Sequence, residues 1–405
     1  MIYRNETDYW PDNKAVHFSL ASWGLALGVA LLPVYTFSSG GVQPAHIILI
    51  VFALATMMNN GVPNKIWVWC LAGICIFSLF VESFYVITGT KVEALMNGIF
   101  LLYNFLVVTA VYSHCRRLGL SALTPGVLLA CAIAIFTISV SNASPQETGE
   151  SRVTGTFNNP NQLGYFSVCI LSLTYLLYRH DHIKYLTALV LFMVAIFFSI
   201  ASLSKAAMIA NFLVAFLALK PVSKSTFTNG KTRNMKGALF WLMLVLAGVV
   251  TIMFFLMRGS FDEFMFMQRL QGITQEDDSS LVSRGYLAFL EGNTLQLFLG
   301  LGSIGVTRIA GHEVHSTLAS IFNNYGVVGF VLFALALSIW AWKLWRAYGF
   351  VGVCCLTGPA MLYGITHNGT RFTVFWVLFG ASMAMASCII ERQDAEEDEP
   401  FRKKR

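Results

Sequence analysis

The run Ile66-Trp-Val-Trp-Cys70-Leu-Ala-Gly-Ile-Cys75-Ile-Phe-Ser-Leu-Phe-Val-Glu82-Ser-Phe-Tyr-Val-Ile87 carries a single acidic or basic side chain, Glu82. An α-helix rises about 1.5 Å per residue, so a run of roughly 20 apolar residues crosses the hydrocarbon layer of a bilayer. Similar runs lie near 16–35, 44–58, 94–113, 122–141, 163–179, 184–201, 206–220, 237–257, 317–342, 349–365 and 371–390. With 66–87 they predict an all-α polytopic membrane protein of about 12 transmembrane helices. The chain is 56% hydrophobic and 12% charged, far from the balance of a soluble domain. The reading is of one transmembrane domain over 1–390, with long polar loops at 142–162 and 258–316 and a charged tail at 391–405. The polar start, Met1 to Val16, shows no cleavable signal pattern.

Most of the 27 lysines and arginines, among them Lys65, Arg116, Arg117, Lys343 and Arg346, fall on one side of this topology. Cytoplasmic loops accumulate such residues, which puts both termini inside and both long loops outside, the longer one between helices 9 and 10. The formal charge of +6 therefore follows topology and is no nucleic-acid signature. The eight cysteines lie in or beside apolar runs, so neither a disulfide framework nor a zinc site is expected.

The first long loop ends in Gly155-Thr-Phe-Asn158-Asn159-Pro160-Asn161-Gln162-Leu-Gly164. Asparagine and proline at such a place form turns and helix caps, and Asn158 and Asn161 equally suit a loop that touches substrate. The second loop holds Arg258, Arg269, Arg284, Arg308, His312 and His315. Within it 279–298 has the apolar spacing of an amphipathic surface helix. It re-enters the membrane as Glu313-Val-His315-Ser-Thr-Leu-Ala-Ser-Ile-Phe-Asn-Asn-Tyr-Gly326-Val-Val-Gly329. At about 3.6 residues per turn, His315 and Gly326 are separated by nearly whole turns, so a helix here would place His315 above Gly326. Small residues on one stripe let helices approach closely in lipid. The glycines then serve a tight seam, either for packing alone or to fix an imidazole at its outer end.

Ser202-Leu-Ser204-Lys205 lies where one apolar run turns back into another. A cation at a helix start opposes the helix dipole and calls for solvent, a partner or an anionic ligand. Snorkelling to the interface is the plainer reading of Lys205, and contact with lipid headgroups that of Arg284. Taken together, Lys205, Arg284 and His315 suit a site that grips a diphosphate and places one base beside it. Sugar transfer from a lipid diphosphate needs the departing charge stabilised and a hydroxyl proton removed. Fixed cations suit the first task, and an imidazole with an ordinary pKa near 6.5 suits the second. The inner loops lack a D-x-D pair for a metal and a nucleotide sugar, and Glu276-Asp277-Asp278 reads as a solvated run, so no metal or other cofactor is expected.

In order and topology these motifs resemble the O-antigen ligase and O-antigen polymerase superfamily, bacterial inner-membrane glycosyltransferases that use polyprenyl-diphosphate-linked glycans. The resemblance rests on the Gly155–Gln162 stretch, Ser202-x-Ser204 followed by a cation, a Ser-x-x-x-Arg ending at Arg284, Gly300-Leu-Gly302, and a histidine with glycine eleven residues on. It implies a fold like that of the C-type glycosyltransferases and a metal-independent, inverting transfer at the periplasmic face. His315 matches the family's base and Arg284 its loop arginine. Lys205 stands where the family usually has arginine, which keeps the charge but loses the bidentate fork. Arg269 could share that grip, with Asn158, Asn161 and His312 nearby in substrate loops. The implied partners are an undecaprenyl-diphosphate-linked glycan as donor, membrane lipids, and an acceptor glycan that is either a lipid-linked repeat or the lipid A core. A flippase for the same lipid-linked glycan is the alternative, disfavoured because the span middles hold almost no lysine or arginine.

Overall fold

Ile66–Ile87 is helical throughout (α3), and its end is closed by Thr88, whose backbone N–H returns to the Phe84 carbonyl. The computed structural model describes residues 19–37, 41–140, 154–219 and 285–402. The expected span 237–257, together with Arg258, Arg269 and Arg284, lies outside the described residues. Before α3 come α1 (Leu20–Ala30) and α2 (Pro44–Asn60); after it come α4 (Leu95–Leu118), α5 (Leu123–Val140), α6 (Pro160–Arg179), α7 (Tyr185–Ala201) and α8 (Lys205–Leu219). The second described half holds α9 (Thr294–Leu299), α10 (Gly302–Ala310), α11 (Thr317–Leu356), α12 (Gly358–Thr366) and α13 (Thr373–Arg402). Among the described residues, five helical stretches are long and apolar enough to cross a membrane, with shorter apolar helices beside them. The protein is thus a helical, multi-pass membrane protein.

Two helices form the centre. α6 is buried at almost every position from Pro160 to Leu177, and α13 is buried at nearly every position from Thr373 to Met385. A helix covered on all sides has no lipid face to satisfy, which lets it carry the polar residues that join neighbours. The buried Asn211 on α8 accordingly donates to Ser167 Oγ on α6 at 3.0 Å and to the Ala195 carbonyl on α7 at 3.3 Å. Where α13 crosses α4, a Cβ on Gly380 would lie 2.6 Å from the Val108 carbonyl oxygen, so glycine is what permits that separation. Trp340 of α11 stacks on Phe379 of α13 at 4.6 Å and donates to Ser382 Oγ at 2.9 Å.

Two expectations need correction. The first concerns α11, which starts at Thr317, so His315 precedes the helix instead of standing on its stripe. Gly326 (φ 60, ψ −162) and Gly349 (φ 69, ψ −167) also break it, so no unbroken turns join position 315 to 326. The second concerns 279–298: from Gly285 onward this is no continuous helix. A short 3-10 turn at Ala288–Glu291 gives way at Gly292 to α9, because Asn293 and Gln296 form a reciprocal cap that starts a new helix. α13 runs on beyond the last apolar run to Arg402, with Glu391 to Asp398 exposed. Arg116–Glu391 (2.6 Å) and Arg346–Asp394 (2.9 Å) pairs hold that extension against α4 and α11.

Candidate functional site

The chain reaches His315 through a turn with one apolar anchor. Gly311 adopts a left-handed conformation (φ 76) that ends α10, its N–H returning to the Thr307 carbonyl. Four residues follow before the cap of α11. Val314 is buried against Ala288, Leu301 and Val306, while Glu313 and His315 on either side of it are exposed. Burying one residue of an extended turn sends its neighbours the other way. The His312 and His315 rings meet edge to face at 4.9 Å, and His312 Nδ1 lies 2.8 Å from the Glu313 carbonyl oxygen. Ser316 then caps α11, its hydroxyl accepting from the Ala319 N–H at 3.4 Å. The imidazole of His315 is therefore attached next to the electropositive end of a helix.

The break at Gly326 has a physical cause. A Cβ there would lie 2.3 Å from the Phe298 carbonyl oxygen, and one on Gly300 (φ 90) would lie 2.1 Å from the Asn324 carbonyl oxygen. The backbone of 298–301 is laid directly across the kink, with the Leu301 N–H donating to the Asn323 carbonyl at 2.8 Å. The Tyr85 hydroxyl of α3 donates to the Gly300 carbonyl at 2.8 Å. Glu82, fully buried, accepts from the Ser303 N–H at 3.1 Å and from the Tyr325 hydroxyl at 3.4 Å. The one acidic residue of α3 thus fastens the start of α10 and the kink, with donors to offset the cost of burying a carboxylate.

Lys205 begins α8 at the same end of the bundle. The turn before it is strained: Leu203 has φ 51, a left-handed conformation that a branched side chain rarely takes. Ser202 Oγ accepts from the Ser204 N–H at 3.3 Å and stabilises that turn. Asn159 caps α6, its side-chain oxygen accepting from the Gln162 N–H at 2.9 Å. Asn158 sits just outside, its side-chain amide donating to the Phe37 carbonyl at 3.4 Å.

A path of contacts runs from Ser204, just before Lys205, to Thr317, two residues after His315. Ser204 Oγ lies 3.4 Å from the Tyr363 hydroxyl, which donates to the Asn161 carbonyl at 2.8 Å. The Tyr363 ring stacks on His367 at 4.4 Å. The His367 carbonyl accepts from Thr317 Oγ1 at 3.1 Å, and Thr317 Oγ1 accepts in turn from the Gly369 N–H at 2.8 Å. Thr317 lies in the first turn of α11, just beyond the cap that follows His315. Lys205, Asn158, Asn161, His312 and His315 thus all stand at one end of the bundle. Arg269 and Arg284 lie outside the described residues.

The turn between α12 and α13 contributes groups that motif reading passed over. Arg371 donates to Glu313 Oε1 at 2.8 Å and also to Asn97 Oδ1, while Asn368 donates to Ser320 Oγ at 3.0 Å. The signal lay in the polar run His367-Asn-Gly-Thr-Arg371, set between two apolar runs. These groups bound a cavity of about 220 Å³ between the start of α4, α10 and the first turns of α11. The chain matches no protein-family model, and no curated protein matches it.

Proposed function

We propose that the protein is a metal-independent, inverting glycosyltransferase of the bacterial inner membrane. It moves an undecaprenyl-diphosphate-linked glycan en bloc to an acceptor sugar at the outer face, in polymerisation of a surface polysaccharide or in its ligation to the lipid A core. The observation that carries this reading is the Ser204–Tyr363–His367–Thr317 path, which joins the turn bearing Lys205 to the helix start beside His315. A cation and a protonatable ring borne by elements that this path connects suit both requirements of the reaction.

The acceptor hydroxyl oxygen attacks the anomeric carbon of the donor. The bond from that carbon to the diphosphate oxygen breaks, its electron pair leaves with the polyprenyl diphosphate, and the hydroxyl proton passes to the His315 imidazole. A single displacement inverts the anomeric centre. Lys205 meets the departing negative charge, aided by Arg284, which the motif resemblance assigns to the loop, and by Arg269, which shares the grip. Asn158, Asn161 and His312 line the substrate's approach.

The test is transfer by the purified protein in nanodiscs, given a lipid-linked donor and two competing acceptors, a lipid-linked repeat and a lipid A core. A new glycosidic bond made by the native chain and lost in His315→Ala supports the reading. Transfer that survives in His315→Ala removes the base from the mechanism. Movement of labelled lipid across vesicles with no new bond would make the chain a flippase.

A further inference from the structure

The cavity beside Arg371 differs in chemistry from the place assigned to the diphosphate. Its charged lining groups are Arg371, Glu93 and Glu313, and Arg371 is already paired with Glu313 at 2.8 Å. Among the described residues, two carboxylates against one guanidinium leave no surplus of positive charge for phosphate. The remaining polar lining is neutral and two-sided, offering hydroxyls and carboxamides such as Thr307, Asn324 and Asn368. Such groups both donate and accept, as the hydroxyls of a sugar ring require. A volume of about 220 Å³ falls below the range of about 300 to 1,000 Å³ that takes drug-sized ligands, which suits one sugar unit better than an oligosaccharide.

The cavity also has a definite place in the chain. Glu313 and Val314 line it, and His315 is the next residue, while Ser320 in its wall belongs to the helix that His315 precedes. We infer that this cavity is the subsite for the uncharged sugar residue that presents the attacking hydroxyl, the terminal unit of the acceptor glycan. This assignment rests on the transferase reading and adds the acceptor's chemistry to it. The diphosphate stays on the Lys205 side, and the carboxylates of Glu93 and Glu313 keep the donor's charge out of the acceptor's place.

Binding tests this separately from turnover. Saturation-transfer NMR on the full chain in nanodiscs, with glucose, galactose, N-acetylglucosamine and inorganic pyrophosphate as probes, should show at least one neutral sugar binding without displacement by pyrophosphate. Thr307→Phe, which fills the cavity from an exposed position on α10, should weaken that binding tenfold or more. Thr307→Cys retains the small volume, and its rate of labelling by a thiol reagent should fall severalfold when the same sugar is added. Displacement of the sugar by pyrophosphate, binding unchanged in folded Thr307→Phe, or no sugar protection of Thr307→Cys would each overturn the assignment. Sugar binding without any transfer would leave the subsite standing and defeat the transferase reading. Transfer with an unaltered acceptor KM in Thr307→Phe would do the reverse.

Discussion

The hydroxyl of Tyr363 on α12 donates to the Asn161 carbonyl in the first turn of α6 at 2.8 Å, and Ser204 Oγ lies 3.4 Å from the same oxygen. One fully buried phenol therefore ties together two helix starts and a third helix. Tyr363→Phe keeps the ring and its stacking on His367 but strands the buried polar groups around it. A cost of about 1–3 kcal/mol is expected for leaving such a group unsatisfied. Thermal unfolding in detergent should show the loss, and transfer should fall with it because the Lys205 turn is no longer held to α12. An unchanged midpoint would mean that other contacts hold the three elements.

Two of the positive-φ glycines near the site separate backbone conformation from contact. Gly311 (φ 76) has no atom within 4 Å of an added Cβ, whereas Gly326 (φ 60) would set its Cβ 2.3 Å from the Phe298 carbonyl oxygen. Gly311→Ala should cost only the conformational penalty of about 1–2 kcal/mol. Gly326→Ala adds a backbone clash to that penalty and should sharply reduce the yield of folded protein. Equal yields of the two variants would show that 298–301 is free to move away from the kink.

Lys205 and His315 should fail in different ways. Loss of a general base lowers turnover by about 10²–10⁴-fold, and His315→Ala should do so with the donor KM little changed. Lys205→Gln should raise the donor KM, and Lys205→Arg should restore it, because guanidinium binds a diphosphate through two parallel bonds. Steady-state kinetics with varied donor separate the two cases, and a pure kcat effect from Lys205→Gln would contradict a role in holding the diphosphate.

At the opposite end, His180 Nε2 lies 2.7 Å from the Tyr348 hydroxyl. Burial, helped by the charges of His182 and Arg179, pushes the His180 imidazole down to about 4. The unfolded chain, with an imidazole near 6.5, takes up the proton first as pH falls. Stability from this group is complete above about pH 6.5 and is lost progressively toward about pH 4. His180→Gln should flatten the dependence of the unfolding midpoint across that window, and a slope identical to that of the native chain would assign the acid sensitivity elsewhere.

Apolar run length was enough to read most of the described helices, and α3 and α7 begin and end within about a residue of expectation, inside the usual uncertainty of helix ends. Features set by distant parts of the chain were not legible. The eleven-residue spacing of His315 and Gly326 looked like a helical stripe, but the glycine is required by the backbone of Phe298, which no local periodicity reports. Arg371 and Glu313 are 58 positions apart, and nothing in either local sequence announces the other. That Lys205 and His315 stand beside helix starts was legible, because each lies where polar sequence gives way to an apolar run. The Tyr363 bridge between their surroundings was not, since a tyrosine inside an apolar run resembles any other packing residue.

The burial of α6 bears on how this chain enters its membrane. Its Pro160-Asn-Gln start and its serines, threonine and tyrosines make it less apolar than the five stretches able to cross on composition alone. Partitioning from the translocon follows hydrophobicity segment by segment, so α6 gains its place from neighbours that cover it and not from lipid. Its cover comes from α7 and α8, which follow it in the chain, and from α12 and α13, which follow much later. A nascent chain truncated after α6 should therefore leave that segment poorly integrated, so that a helix enclosed on all sides is expected to become secure only late in assembly.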